Sequence, residues 1–413
     1  MPGNLRDRLR RIQKAAPPEK KPVGRSGESV VFPGWVQAGC MTLKREISGG
    51  ESYFLPKEMP EAAEIVIPGI KGQAYEDLLF FDLETTGLSC GAGTVAFLSA
   101  FGRLLPVKSS GKKTAEYKLN ITQYLLLDYP GEYDFIGALA GEINAGCTIV
   151  SYNGKCFDSQ ILKTRCLMKG IVPPEYRHTD LLFPARRLWK RILPGCSQGM
   201  IETAVLGIDR TGDIPGSMAP EIWFSFLRNG ETGPLLGICE HNRRDIAGLA
   251  SIFAAMAAIA ENPAAANEAF SFDFETLALR WNETTLKRKW KLDEREARLR
   301  EKGLCLLRQA ALMGMPGAEL RYAVILLRTG EYEQGRAALY KAASPGRPPL
   351  VQAAALRALA IDSERRLRNL PEALELSKRG LAALPSGSSW RNEFSGRAER
   401  LQKKLEVWSS SNH

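Results

Sequence analysis

This 413-residue chain predicts an α/β domain built on a mixed sheet with flanking helices, followed by an all-α helical region. Three observations carry that expectation. Apolar runs of strand length recur between about residues 75 and 260, the first three joined by short links and the later one alternating with stretches of helical length. From residue 275 the strand-like runs stop and the chain becomes rich in Ala, Leu, Arg and Glu. A content of 44% hydrophobic and 25% charged residues is an ordinary globular balance, over a length that calls for two or three units of roughly 100–200 residues.

Residues 1–30 are rich in Pro, Gly, Lys and Arg with little apolar content, and are expected to form a basic, disordered tail. Residues 31–74 hold short apolar stretches broken by Gly and Pro, an extended N-terminal segment. The apolar run Leu78-Leu79-Phe80-Phe81-Asp82-Leu83 opens the α/β unit, expected over residues 75–262, with further strands at 94–98 and 121–127. A helix follows at 133–143 and a fourth strand at 148–152. Three strands in succession, then helix–strand–helix, make a sheet with an antiparallel half. Residues 275–408 read as helices. Two stretches there, 320–342 and 361–384, each show a helix, a short turn, and an aromatic or Leu with a small residue three positions later (Tyr332/Gly335 and Leu370/Ala373). Helix–turn–helix units of this kind are the signature of tetratricopeptide-type repeats, and a plain helical bundle is the alternative reading.

Charge and cysteines narrow the class. The net charge of +10 is concentrated: residues 1–30 carry eight basic and three acidic residues, and residues 280–308 ten basic and five acidic. Two basic segments around a neutral body suit an anionic partner, nucleic acid above all. A merely solubilising role would look the same. The longest nearly apolar run, 247–260, is shorter than the roughly 18 residues of a membrane span. The N-terminus lacks the apolar core of a secretory signal. Eight cysteines without a C-x-x-C pair, and only three histidines, argue against a disulfide framework or a zinc ribbon. The expectation is a cytoplasmic protein with reduced thiols and no membrane association.

The chemistry lies in three acidic motifs. Asp82 and Glu84, two apart at the end of an apolar strand, project to one face. Carboxylates so placed repel unless a cation neutralises them, and oxygen donors suit Mg²⁺ or Mn²⁺. A strand ending in a polar turn would carry the same pair. Asp158, in Asn153-Gly154-Lys155-Cys156-Phe157-Asp158, falls in the first turn of a helix, where the helix dipole alone also favours it. His241 and Asp245, four apart in Glu240-His241-Asn242-Arg243-Arg244-Asp245, which leads into a helix expected over residues 246–260, share a helix face. His178 and Asp180 form a further pair, with Asp180 read as a helix N-cap.

The order DLET, N-x-x-x-F-D, H-x-x-x-D resembles the DEDD superfamily of 3′–5′ exonucleases on the ribonuclease H-like fold. Together with Leu206-Gly207-Ile208-Asp209-Arg210 and Asp213-Ile214-Pro215-Gly216, it is most similar to the bacterial YprB-type group, which joins this domain to tetratricopeptide-like helices. The resemblance implies a nuclease with two Mg²⁺ or Mn²⁺ ions held by Asp82, Glu84, Asp158 and Asp245, with His241 as general base. One departure stands out: the histidine branch of that superfamily has four residues between base and Asp, the tyrosine branch three, and this chain has a histidine at the tyrosine spacing. The implied activity is 3′–5′ exonucleolytic hydrolysis of DNA or RNA. The same fold also serves structure-specific endonucleases, and a non-catalytic scaffold remains a third reading. The helical repeats imply a protein partner.

Overall fold

The computed structural model describes residues 32–87, 93–107, 114–143, 146–286 and 293–410. The basic tail at 1–30, and residues 287–292 of the second basic segment, lie outside them. In chain order the elements are β1 (Val36–Gly39), β2 (Thr42–Ile47), β3 (Ser52–Pro56), α1 (Ala63–Val66), β4 (Leu78–Thr85), β5 (Ala96–Pro106), β6 (Thr114–Leu126), α2 (Glu132–Glu142), β7 (Thr148–Ser151), α3 (Asp158–Met168) and β8 (Arg177–Asp180). Then come α4 (Leu182–Trp189), α5 (Gln198–Ala204), α6 (Ala219–Asn229), α7 (Gly233–Glu261), α8 (Pro263–Phe270) and α9 (Phe274–Leu286). The helical run ends with α10 (Glu294–Leu312), α11 (Pro316–Thr329), α12 (Tyr332–Ala342), α13 (Pro349–Arg365), α14 (Leu370–Ala383) and α15 (Arg391–Ser410).

The eight strands form one mixed sheet in the order β1-β2-β6-β5-β4-β7-β8, with β3 also on β6. β4 runs antiparallel to β5 and parallel to β7, and β7 is parallel to β8. β4 is therefore central and must be apolar on both faces. Leu78 and Phe80 enter one core with Ile246, Leu249 and Phe253 of α7. Leu79, Phe81 and Leu83 enter the other with Phe135 and Ile136 of α2, Ile161 and Leu162 of α3 and Trp223 of α6. Asp82 and Glu84 continue the Leu78/Phe80 register, so the period of two delivers them to the face that α7 covers. Gly102 on β5, opposite Phe80, lets the helix down: a Cβ there would stand 2.6 Å from Ile246 Cγ2.

Two elements differ from expectation. The helix expected at 246–260 begins at Gly233, with Pro234 in its first turn, so His241 and Asp245 sit mid-helix rather than ahead of it. Asp180 ends a strand, β8, which its polar sequence Arg177-His178-Thr179-Asp180 does not announce. Its carboxylate still accepts from the Leu182 amide (3.0 Å), as a capping residue would, and also from the amides of Asn153 (2.8 Å) and Lys155 (3.1 Å).

The first core continues into the helical region through Phe274, Leu277 and Trp281 of α9 and Leu307 of α10. Trp281 is fully buried, its indole N–H donating to Leu299 O at 2.9 Å, and its ring fills the place a side chain at Gly303 would take. Trp281→Ala is expected to lower stability by about 3–5 kcal/mol, measurable by chemical denaturation. Further along, α11/α12 and α13/α14 pack as consecutive helix pairs. Gly335 has α12 so close to α11 that a Cβ would lie 3.0 Å from Leu327 N, and Ala373 is buried at the corresponding place in α14. Among the described residues no helix is long and apolar enough to cross a membrane.

Candidate metal centre

Glu84, His241 and Asp245 offer one ligand atom each, all within 4.8 Å of one another. His241 Nε2 lies 3.3 Å from Asp245 Oδ2 and 3.9 Å from Glu84 Oε1. The i,i+4 spacing on α7 makes the first contact, and the descent of α7 onto β4 makes the second. Asp82, one register step back on β4, accepts from Asn242 Nδ2 at 2.7 Å. Asn242 is itself buried and accepts from Gln123 on β6, whose own side-chain oxygen accepts from Arg45 on β2. A chain of hydrogen bonds thus runs across three strands to orient Asp82.

Asp158 opens α3. Gly154 before it is required sterically, because a Cβ would stand 2.6 Å from Asp158 Oδ2 and 2.7 Å from Ser151 Oγ. Burial, followed by the charges of Asp82 and Asp180, holds Asp158 well above the usual carboxylate range. Burial and then the Asp245 charge push Asp82 up to about 7, against the Asn242 hydrogen bond that favours its anion. Burial and the charges of Asp82, Asp245 and Asp158 raise Glu84 well above its ordinary value. Asp82 thus feels the charge of Asp245, Asp158 that of Asp82, and Glu84 that of all three. His178 stands apart, its ring nitrogens 2.8 Å from Ser151 Oγ and 2.9 Å from Ser159 Oγ, and burial lowers it to about 4.

The acids exceed the cations beside them. Arg210 Nη2 reaches Asp245 Oδ1 at 2.5 Å and Nη1 reaches Asp213 Oδ2 at 2.7 Å. Arg243 and Arg244 turn instead to Glu240. Raised carboxylates with an uncompensated negative charge fit a divalent cation, which would favour their ionised forms. The carboxylate oxygens suit a hard divalent cation.

Sequence reasoning did not give a role to Asn242, Arg210 or Asp213. Asn242 lies inside the H-x-x-x-D motif, but its burial depends on Gln123 from a strand 119 residues away. Arg210 and Asp213 lie on the irregular segment between α5 and α6, where no periodicity points to a partner.

Residues 79–257 match the family model described as the RNase_H superfamily. Over 186 residues the chain is 37% identical to the uncharacterized protein YprB of Bacillus subtilis (strain 168). The match covers 44% of this chain and 42% of that protein, less than half the length of the curated relative. The central strand, its antiparallel and parallel neighbours and the acidic cluster all fall in the matched segment. Over residues 79–257 the chain is thus similar to the ribonuclease H superfamily, and a helix-rich region continues it.

Proposed function

We propose that the chain is a metal-dependent nuclease that removes nucleotides from the 3′ end of nucleic acid by two-metal hydrolysis. The observation that supports this most is the gathering of Asp82, Glu84, Asp245 and His241 at the end of the central strand, with Asp158 in their field. Asp82, Glu84, Asp158 and Asp245 would hold two Mg²⁺ or Mn²⁺ ions. Such ions, when bound, neutralise charge on the scissile phosphate and acidify a water. The histidine Nε2 faces the carboxylates from one side and would take the proton from the attacking water, as an imidazole can near neutral pH. In this reading the helix pairs of residues 316–383 are tetratricopeptide-like and hold a protein partner, and the protein works in the cytoplasm.

The test is a 5′-labelled DNA and RNA oligonucleotide in Mn²⁺, with EDTA as control. A ladder shortening from the 3′ end supports the exonuclease and a single internal product an endonuclease. No cleavage favours a non-catalytic scaffold.

The basic tail should contribute affinity rather than chemistry, since the acids lie elsewhere. Deleting residues 1–30 is expected to weaken binding and flatten its salt dependence, by up to about 0.9 for each phosphate the tail neutralises on duplex DNA. Fluorescence anisotropy over a salt series measures the slope, and an unchanged slope would make the tail a solvated appendage.

A further inference from the structure

The segment between α5 and α6 crosses the site, and three of its residues meet the catalytic face. Asp213 Oδ2 lies 3.0 Å from His241 Nδ1 and accepts from Arg210 Nη1 as well. Arg210 also donates to Asp245 Oδ1 and, through Nε at 2.6 Å, to Glu202 Oε2. Glu202 is fully buried. Gln198 donates both to its Oε1 (2.8 Å) and to the backbone oxygen of Asp245 (2.7 Å). Gly248, three residues beyond Asp245 on α7, leaves out the Cβ that would overlap the Glu202 carboxylate. At the other end of the segment, a Cβ on Gly216 would stand 3.0 Å from His241 Nε2, so the backbone closes over the edge of the ring.

We propose that Asp213 and Arg210 are positioning residues of the hydrolytic site. Asp213 keeps the proton of neutral His241 on Nδ1 and turns unprotonated Nε2 toward Glu84 and Asp245. Arg210, anchored on buried Glu202, holds Asp213 and Asp245 at a constant separation. The proposal rests on the nuclease reading above. Its physical basis is that the hydrogen bond at one ring nitrogen decides the state of the other, and that a carboxylate behind an imidazole fixes both tautomer and orientation. Without Asp213 the ring could turn about χ2, or move its proton to Nε2 beside the Asp245 carboxylate. In either case no lone pair would face the water. The histidine at the tyrosine spacing is thus supported from a loop rather than from its own helix.

Two readouts test this on the full chain. Asp213→Ala is expected to lower kcat about 10–100-fold, with KM little changed and no further loss when combined with His241→Ala. Asp213→Glu keeps a carboxylate behind the ring and should recover part of the rate, whereas Asp213→Asn, whose amide can donate to Nδ1, should not. The second readout needs no turnover. The chain has three histidines, His178, His241 and His413, so ¹⁵N-histidine spectra can be assigned by single substitutions. In the neutral ring, both in EDTA and with Mg²⁺, His241 should be protonated at Nδ1. Asp213→Ala should move that proton to Nε2, and Asp213→Glu should not. A wild-type His241 protonated at Nε2 would overturn the proposal. So would a tautomer indifferent to Asp213→Ala, or an equal loss of rate in the His241→Ala background. If the wild-type protein cleaves no oligonucleotide, the nuclease reading fails, while the spectra still decide what Asp213 does.

Discussion

Asp82→Asn is expected to remove metal-dependent cleavage and, in EDTA, to raise the melting temperature. The substitution deletes one charge from a buried acidic cluster with almost no change of shape. Loss of an electrostatic partner of the reacting group costs about 10²–10³-fold in kcat, and loss of a ligand carboxylate should cost at least that. The stability effect follows from the raised carboxylates. Asp82, Glu84 and Asp158 all bind their protons more tightly in the folded chain than in the unfolded one. Between the unfolded value of about 4 and the folded values, the native state therefore holds more protons, and stability falls as pH rises. For Asp82 that window closes at about 7. The metal-free wild type should accordingly melt higher at low than at neutral pH, with a shallower slope for Asp82→Asn. Mn²⁺ reverses the order: at about 100 times its dissociation constant it adds about 2.7 kcal/mol to a native state that alone binds it, and the variant should lose most of that gain. Thermal melts across pH in EDTA and in Mn²⁺ measure both. A wild-type melt indifferent to Mn²⁺ and Mg²⁺ would put the scaffold reading first.

What the sequence made legible follows from periodicity. The register of β4 could be read because apolar residues on both faces bracket Asp82, and a period of two then sends Glu84 the same way. The i,i+4 pair on α7 could be read from helix geometry alone. β8 could not, because its four residues are polar and are strand only through pairing with β7 and the burial of Thr179 and Asp180. The start of α7 was obscured by the polar run His241 to Asp245, whose Asn242 is buried only because Gln123 and Asp82 meet it from the sheet. Arg210 and Asp213 depend wholly on tertiary contact, since an irregular segment carries no period to say which side chain faces inward. The common limit is that a polar side chain drawn inward by a distant partner looks, in the chain, like one left in water.

His241→Ala is expected to lower kcat by about 10²–10⁴-fold, the usual range for a general base, while leaving the Mn²⁺ stabilisation largely in place. The ring stands 3.3 Å from Asp245 and 3.9 Å from Glu84, close enough to serve either as base or as a ligand in its own right. The two roles separate under one substitution. A base contributes to the rate and not to the ion, so the Mn²⁺-dependent rise in melting temperature should survive its removal. A ligand contributes to both, and the rise should shrink together with activity, as it should for Asp82→Asn. Measuring kcat and the Mn²⁺-dependent melting shift on His241→Ala and Asp82→Asn side by side distinguishes the cases. Joint loss in both variants would move His241 into the ligand set. Near-normal turnover in His241→Ala would mean that the water gives up its proton elsewhere.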